Sequence, residues 1–124
     1  MKLCAIGFLA FLMWNSHAQD KESMKKATCI EVVTFSPIEN VAPTALEEAM
    51  KSTYEIIKTF DGFVGRTTAM DEKGTFIDVV YWESKEKALK AAEQVMQLPE
   101  VAKNFTLIDP KSIVMKHYEI FARE

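Results

Sequence analysis

FVGRTTAMDEKGTFIDVVYWES, residues 63–84, decides the fold. Two strand-length runs, Phe63 to Met70 and Thr75 to Trp82, flank the polar stretch Asp71-Glu72-Lys73-Gly74. Its last residue can take a positive φ without steric cost, so the pattern predicts a β-hairpin. The second arm says more. A sheet with one wet face alternates apolar and polar residues. Here Phe76, Val80 and Trp82 fall on one face and Ile77, Val79 and Tyr81 on the other. Leaving three such side chains in water forgoes about 1.5–3 kcal/mol each, against a net stability of about 5–15 kcal/mol for a whole domain. Both faces of this sheet need a cover.

Upstream of the hairpin, Ala27 to Phe35 is short and rich in β-branched residues, and reads as a strand ended by Ser36-Pro37. A helix is expected from Thr44, which has the capping-box spacing to Glu47. Leu46, Met50, Ile57 and Phe60, with Ala49 and Thr53 between them, form its apolar stripe, and Gly62 is the expected stop. Downstream, Ser84 is the N-cap candidate for a second helix reaching Gln97, with Ala88, Ala91 or Ala92, Val95 and Leu98 facing inward. Pro99 ends it, Val101 to Phe105 reads as a further helical turn, Asp109-Pro110 breaks the chain, and Ile113 to Phe121 is the last strand.

The order β-α-β-β-α-β is the ferredoxin-like α+β arrangement. Right-handed crossovers put both helices on one face of a four-stranded antiparallel sheet. The simplest cover for the other face is a second copy of the same sheet, which gives a dimeric α+β barrel.

The first residues belong to a different layer of meaning. Lys2, the apolar run Leu3 to Trp14, and Asn15-Ser16-His17-Ala18, with small residues at 16 and 18, have the layout of a signal peptide cleaved near Ala18. The run is shorter than the roughly 20 residues a membrane span requires. The expectation is export to the periplasm or the medium. A leader over residues 1–18 would precede a flexible mature N-terminus over 19–26 and a single domain over 27–124, with no membrane attachment after cleavage. Loss of Lys2 shifts the formal charge from −3 to about −4. With no block of Lys or Arg, this argues against a nucleic-acid partner. Only Cys29 remains after cleavage, so no internal disulfide is expected; within an apolar strand it reads as a small buried hydrophobe.

Asp61-Gly62-Phe63-Val64-Gly65-Arg66, followed by Asp78-Val79-Val80-Tyr81-Trp82-Glu83-Ser84 leading into Ala88 to Ala92, resembles the antibiotic-biosynthesis-monooxygenase-like family of the dimeric α/β-barrel superfamily. The likeness covers most of residues 27 to 121. It implies a homodimer whose protomers each hold a pocket between sheet and helices. Some members of the family oxidise aromatic substrates with oxygen and no metal or flavin, others degrade haem, and many have no known activity. The first expectation is therefore a cofactor-independent monooxygenase acting on a small aromatic molecule. The haem-degrading relatives share a histidine on the second helix and an asparagine on the first strand. This sequence has neither, which argues against haem degradation.

His117 is the histidine left after leader removal, and at neutral pH it can take or give a proton. Asp78 and Glu31 are acids inside apolar strands, and a buried carboxylate must be paired or protonated. Arg66, across the hairpin, is the natural partner for Asp78. His117, Arg66 and Asp78 are the candidate catalytic groups, against an alternative in which Arg66 and Asp78 only hold strand register. Trp82, Glu31 and Tyr81 are candidates for ligand contact, with core packing the alternative for Trp82 and a core or interface role for Tyr81. Strand parity does not say whether His117 and Glu31 share the Trp82 face. No second His or Cys accompanies His117, so no metal site is expected. The chain lacks a Gly-rich phosphate loop, a Gly-x-Ser-x-Gly elbow and a Cys-x-x-Cys pair. The competing reading is a dimeric binding or structural module without turnover.

Overall fold

The computed structural model describes residue 22 and residues 24–124, so the expected leader and its cleavage point lie outside the described residues. The elements are β1 (Cys29–Phe35), α1 (Pro43–Ile57), β2 (Phe63–Met70), β3 (Phe76–Trp82), α2 (Lys85–Met96), α3 (Pro99–Phe105), a 3-10 turn (Pro110–Ser112) and β4 (Val114–Glu119). The four strands form one antiparallel sheet in the order β2-β3-β1-β4. This is the ferredoxin-like α+β fold expected from the sequence, with α3 as a short third helix. Among the described residues, no helix is long and apolar enough to cross a membrane.

The hairpin closes as its residues dictate. Asp71 Oδ1 accepts the backbone N–H of Lys73 and of Thr75, both at 2.9 Å, and Gly74 takes φ 86°. At the far end of β3, Ser84 Oγ accepts the N–H of Lys87 at 3.1 Å and starts α2 as expected.

Two local expectations are corrected. The capping box at Thr44 does not form: Ala42 is the N-cap of α1, with no side-chain cap bond. Pro43 explains the shift. It lacks an N–H and has its φ preset, so it fits the first helical position and carries Thr44 inside the first turn. The helix also ends earlier, with Lys58 as C-cap, and Gly62 instead serves the turn into β2 at φ 86°. A Cβ on Gly62 would lie 2.5 Å from Lys87 Cδ, so glycine is required there for space as well as for backbone angle. Before β1, Met24 and Lys25 are helical, and the Ala27 N–H donates to Met24 O at 3.2 Å.

Pairing register settles the faces. Cys29, Glu31, Val33 and Phe35 stand opposite Trp82, Val80, Asp78 and Phe76, and all eight share the face covered by the helices. Along β3 the residues Phe76, Asp78, Val80 and Trp82 are buried, while Ile77, Val79 and Tyr81 between them are half-buried. The open face also carries Ile30, Val32 and Thr34, with Val114 and Tyr118 49 % and 48 % exposed.

The core under the helices comes in two parts. One groups Cys29, Val80, Trp82, Ala88 and Ala91, with Ile57, Phe60 and Phe63 against them. The other groups Phe35, Leu46, Met50, Phe76 and Ile108. In the second, Phe35 and Phe76 stack with ring centroids 5.6 Å apart.

Candidate functional site

A cavity of about 560 Å³ lies between sheet and helices and draws its wall from both halves of the core, including Phe35, Met50, Phe60 and Trp82. That size suits a small organic molecule. Small residues on α2, Ala91 and Ala92, leave the space open where larger side chains would fill it. Among the described residues, the charged groups that line it are Glu31, Arg66 and Asp78.

Arg66 and Asp78 meet as the hairpin requires. Arg66 Nε donates to Asp78 Oδ1 at 2.8 Å and Nη2 to Oδ2 at 3.0 Å, a two-point fork. Arg66 Nη1 donates to Thr53 Oγ1 at 2.9 Å and to Met50 O at 3.2 Å, while Thr68 Oγ1 adds a longer bond to Asp78 at 3.3 Å. The Asp78 side chain is 11 % exposed and that of Arg66 only 3 %. Four of its five donors are committed within the chain. The group bolts α1 to the hairpin, and its charge is matched by Asp78.

Glu31 and His117 form the second polar pair. The β1–β4 register sets them directly opposite, on the helix-covered face with Trp82. His117 Nε2 lies 2.8 Å from Glu31 Oε2, and both side chains are close to nine-tenths buried. Glu31 lines the cavity, and His117 stands behind it. Burial pushes the Glu31 carboxyl above its ordinary range; the His117 hydrogen bond and charge pull the other way, and nearby Asp78 adds to the rise. Among the described residues, Oε1 of Glu31 accepts no hydrogen bond, and it is not among the buried polar atoms sealed from the space around them. An acid with this setting, at the wall of an apolar cavity, can exchange a proton or accept a hydrogen bond from a bound molecule.

Trp82 lines the cavity from the end of β3, its ring edge-on to Phe63 at 5.9 Å. Its indole Nε1 is the buried side-chain polar atom without a partner among the described residues. Tyr81 is corrected: strand alternation turns it to the open face, away from the cavity that Trp82 lines. Cys29 is buried in the core, and burial raises its thiol pKa, consistent with an inert packing role. Asn104 on α3 also lines the cavity, and no sequence pattern marked it. Its Nδ2 donates to Ser52 Oγ at 3.1 Å, which ties α3 to α1. Among the described residues, no group of three or more His, Cys, Asp or Glu side chains comes together as a metal site.

The antiparallel β2-β3-β1-β4 sheet with helices on one face gives this chain the fold of solved structures of antibiotic-biosynthesis-monooxygenase-like proteins. Among solved structures, the cofactor-independent oxygenase SnoaB from Streptomyces nogalater is 19% identical, with a TM-score of 0.58 covering 79% of this chain and 95% of its own. The monooxygenase from ActVA-Orf6 of Streptomyces coelicolor, solved with nanaomycin D, is 15% identical, with a TM-score of 0.58 covering 81% of this chain and 93% of its own. A dimeric ferredoxin-like protein from an uncultured marine organism is 12% identical, with a TM-score of 0.59 covering 82% and 94%. At these identities the likeness is one of fold. No family's sequence profile matches the chain, and no curated protein sequence does.

Proposed function

We propose that this chain is an exported homodimeric barrel protein that binds a small aromatic molecule and oxidises it as a cofactor-independent monooxygenase. The observation that carries this reading is the cavity itself: an apolar chamber of about 560 Å³ with the Glu31–His117 pair at its wall. Such a site holds a ring by burial of its faces and positions it through one polar contact. The fold shared with SnoaB and the ActVA-Orf6 monooxygenase supports the reaction class.

The homodimer rests on the open face. Ile30, Val32, Ile77, Val79, Tyr81 and Tyr118 form an apolar surface that a second copy of the sheet would cover. The dimeric ferredoxin-like relative in fold supports the same assembly.

One observation favours a second reading, in which the protein binds without turnover. Arg66 and Asp78, two of the three groups expected to act chemically, are spent on each other. Oxygen consumption with a panel of phenols and quinols separates the two. Uptake that depends on the substrate and falls in Trp82→Phe supports the oxygenase, whereas tight binding without uptake supports the binding module. For the assembly, light scattering behind a sizing column gives twice the protomer mass for the parent and the protomer mass for Val79→Asp. A parent that runs as a monomer refutes the dimer.

A further inference from the structure

The cavity's polar groups are biased towards one side of hydrogen-bond chemistry. Arg66, its cation, is neutralised by the Asp78 fork and has four of its five donors engaged. Asp78 is occupied by Arg66 and Thr68. Asn104 uses its amide N–H groups on Ser52 Oγ and Ala49 O, and its oxygen has no partner among the described residues. Thr53 Oγ1 donates to Met50 O and accepts from Arg66. Trp82 Nε1 is a donor, but it is sealed in packing. What remains open to a guest is acceptor oxygen, above all Oε1 of Glu31, a residue itself only 8 % exposed. His117 fixes that oxygen's direction by holding Oε2 at 2.8 Å.

An anionic guest in this chamber meets two carboxyl groups and one guanidinium whose charge is already matched. In an interior of low effective dielectric, a like charge a few ångströms away is costly, and no uncommitted cation is present among the described lining residues to offset it. We propose that the cavity selects an uncharged ligand bearing a hydroxyl, held by donation of its O–H to Oε1 of Glu31, and rejects anions of the same shape. This rests on the reading of the cavity as a small-molecule site and adds to it the charge and polar group of the occupant. Glu31 is then the ligand-contacting group and His117 a positioning residue.

The test uses a matched probe pair, 1-naphthol and 1-naphthoate, which differ in charge at neutral pH and share one ring system. Affinities are measured by calorimetry on the full chain and on Glu31→Gln. The parent is expected to bind 1-naphthol at least about tenfold more tightly than 1-naphthoate. Glu31→Gln removes the acid and offers an amide donor in its place, so the preference shrinks to within about threefold, chiefly because naphthoate binding improves. A purely structural role for Glu31 would instead weaken both probes together and leave their ratio intact, which overturns the proposal. Equal affinities in the parent, or tighter binding of naphthoate, overturn it while leaving the cavity a ligand site, and this holds even if Glu31→Gln does not fold. Failure of both probes to bind the parent removes the cavity reading and the proposal with it.

Discussion

Replacing Arg66 with Met tests the bolt between α1 and the hairpin most directly. Methionine keeps much of the aliphatic volume and removes the guanidinium. Four hydrogen bonds go with it: two to Asp78, one to Thr53 and one to the Met50 carbonyl. Asp78, whose side chain is 11 % exposed, is left with the 3.3 Å contact from Thr68 alone. Breaking a buried ion pair by removing one partner costs about 3–5 kcal/mol, because the remaining charge has neither water nor a counterion. For a domain of this size each kcal/mol corresponds to about 4–8 °C in melting temperature, so Arg66→Met should melt at least about 12 °C below the parent. The assay is thermal unfolding followed by circular dichroism, with both proteins at one concentration because a dimer's melting point depends on it. The double variant Arg66→Met/Asp78→Val removes the stranded charge as well and should recover part of the loss. A single variant that melts within about 2 °C of the parent would show that the pair is ornamental and that α1 is held by apolar packing alone.

Two further predictions address separate features. Because burial raises the Glu31 pKa, the folded protein binds this proton more tightly than the unfolded chain. Glu31 therefore supports stability fully below the ordinary carboxylate range, and that support is lost as pH rises through the folded value. Urea midpoints measured upward from the ordinary carboxylate range should show this decline, in a setting that also includes His117, Asp78 and Arg66, and Glu31→Gln should flatten it; equal slopes would contradict the assignment. At the helix starts, Ser84→Ala should cost about 0.5–2 kcal/mol and Thr44→Ala less than about 0.5 kcal/mol, because Ser84 caps α2 while Thr44 caps nothing. A reversed order in chemical denaturation would restore the capping box at α1.

The features readable from the sequence are those fixed by near neighbours. The Asp71–Gly74 turn, the Ser84 cap and the two-faced β3 are each decided within a few residues, and each forms as expected. The Arg66–Asp78 pair follows from the hairpin, which leaves little freedom about which residues lie diagonally across it. Glu31 and His117 are 86 positions apart, and their meeting depends on how β4 registers on β1. Parity within a strand cannot supply that register, because a slip of one residue reverses every side chain. Tyr81 is a candidate for ligand contact through its hydroxyl, yet the alternation already legible along β3 sets it on the face opposite Trp82. At α1 a capping pattern was present, yet Pro43 immediately before it set the helix start by a stronger local constraint. Asn104 carries no sequence signal, since its place at the cavity depends on how α3 packs against α1.

The divided core has a consequence for how such a protein can change over time. Each half is anchored by its own large side chains, Trp82 with Val80 at one end and Phe76 with Leu46 at the other. Several cavity-wall positions between them, among them Ala92, Val95 and Met96, belong to neither buried group. Substitutions at these positions would reshape the chamber while both anchors keep the backbone in place. Selection for a new guest can then proceed at these positions with little loss of foldedness, because they shape the chamber without belonging to either anchoring group.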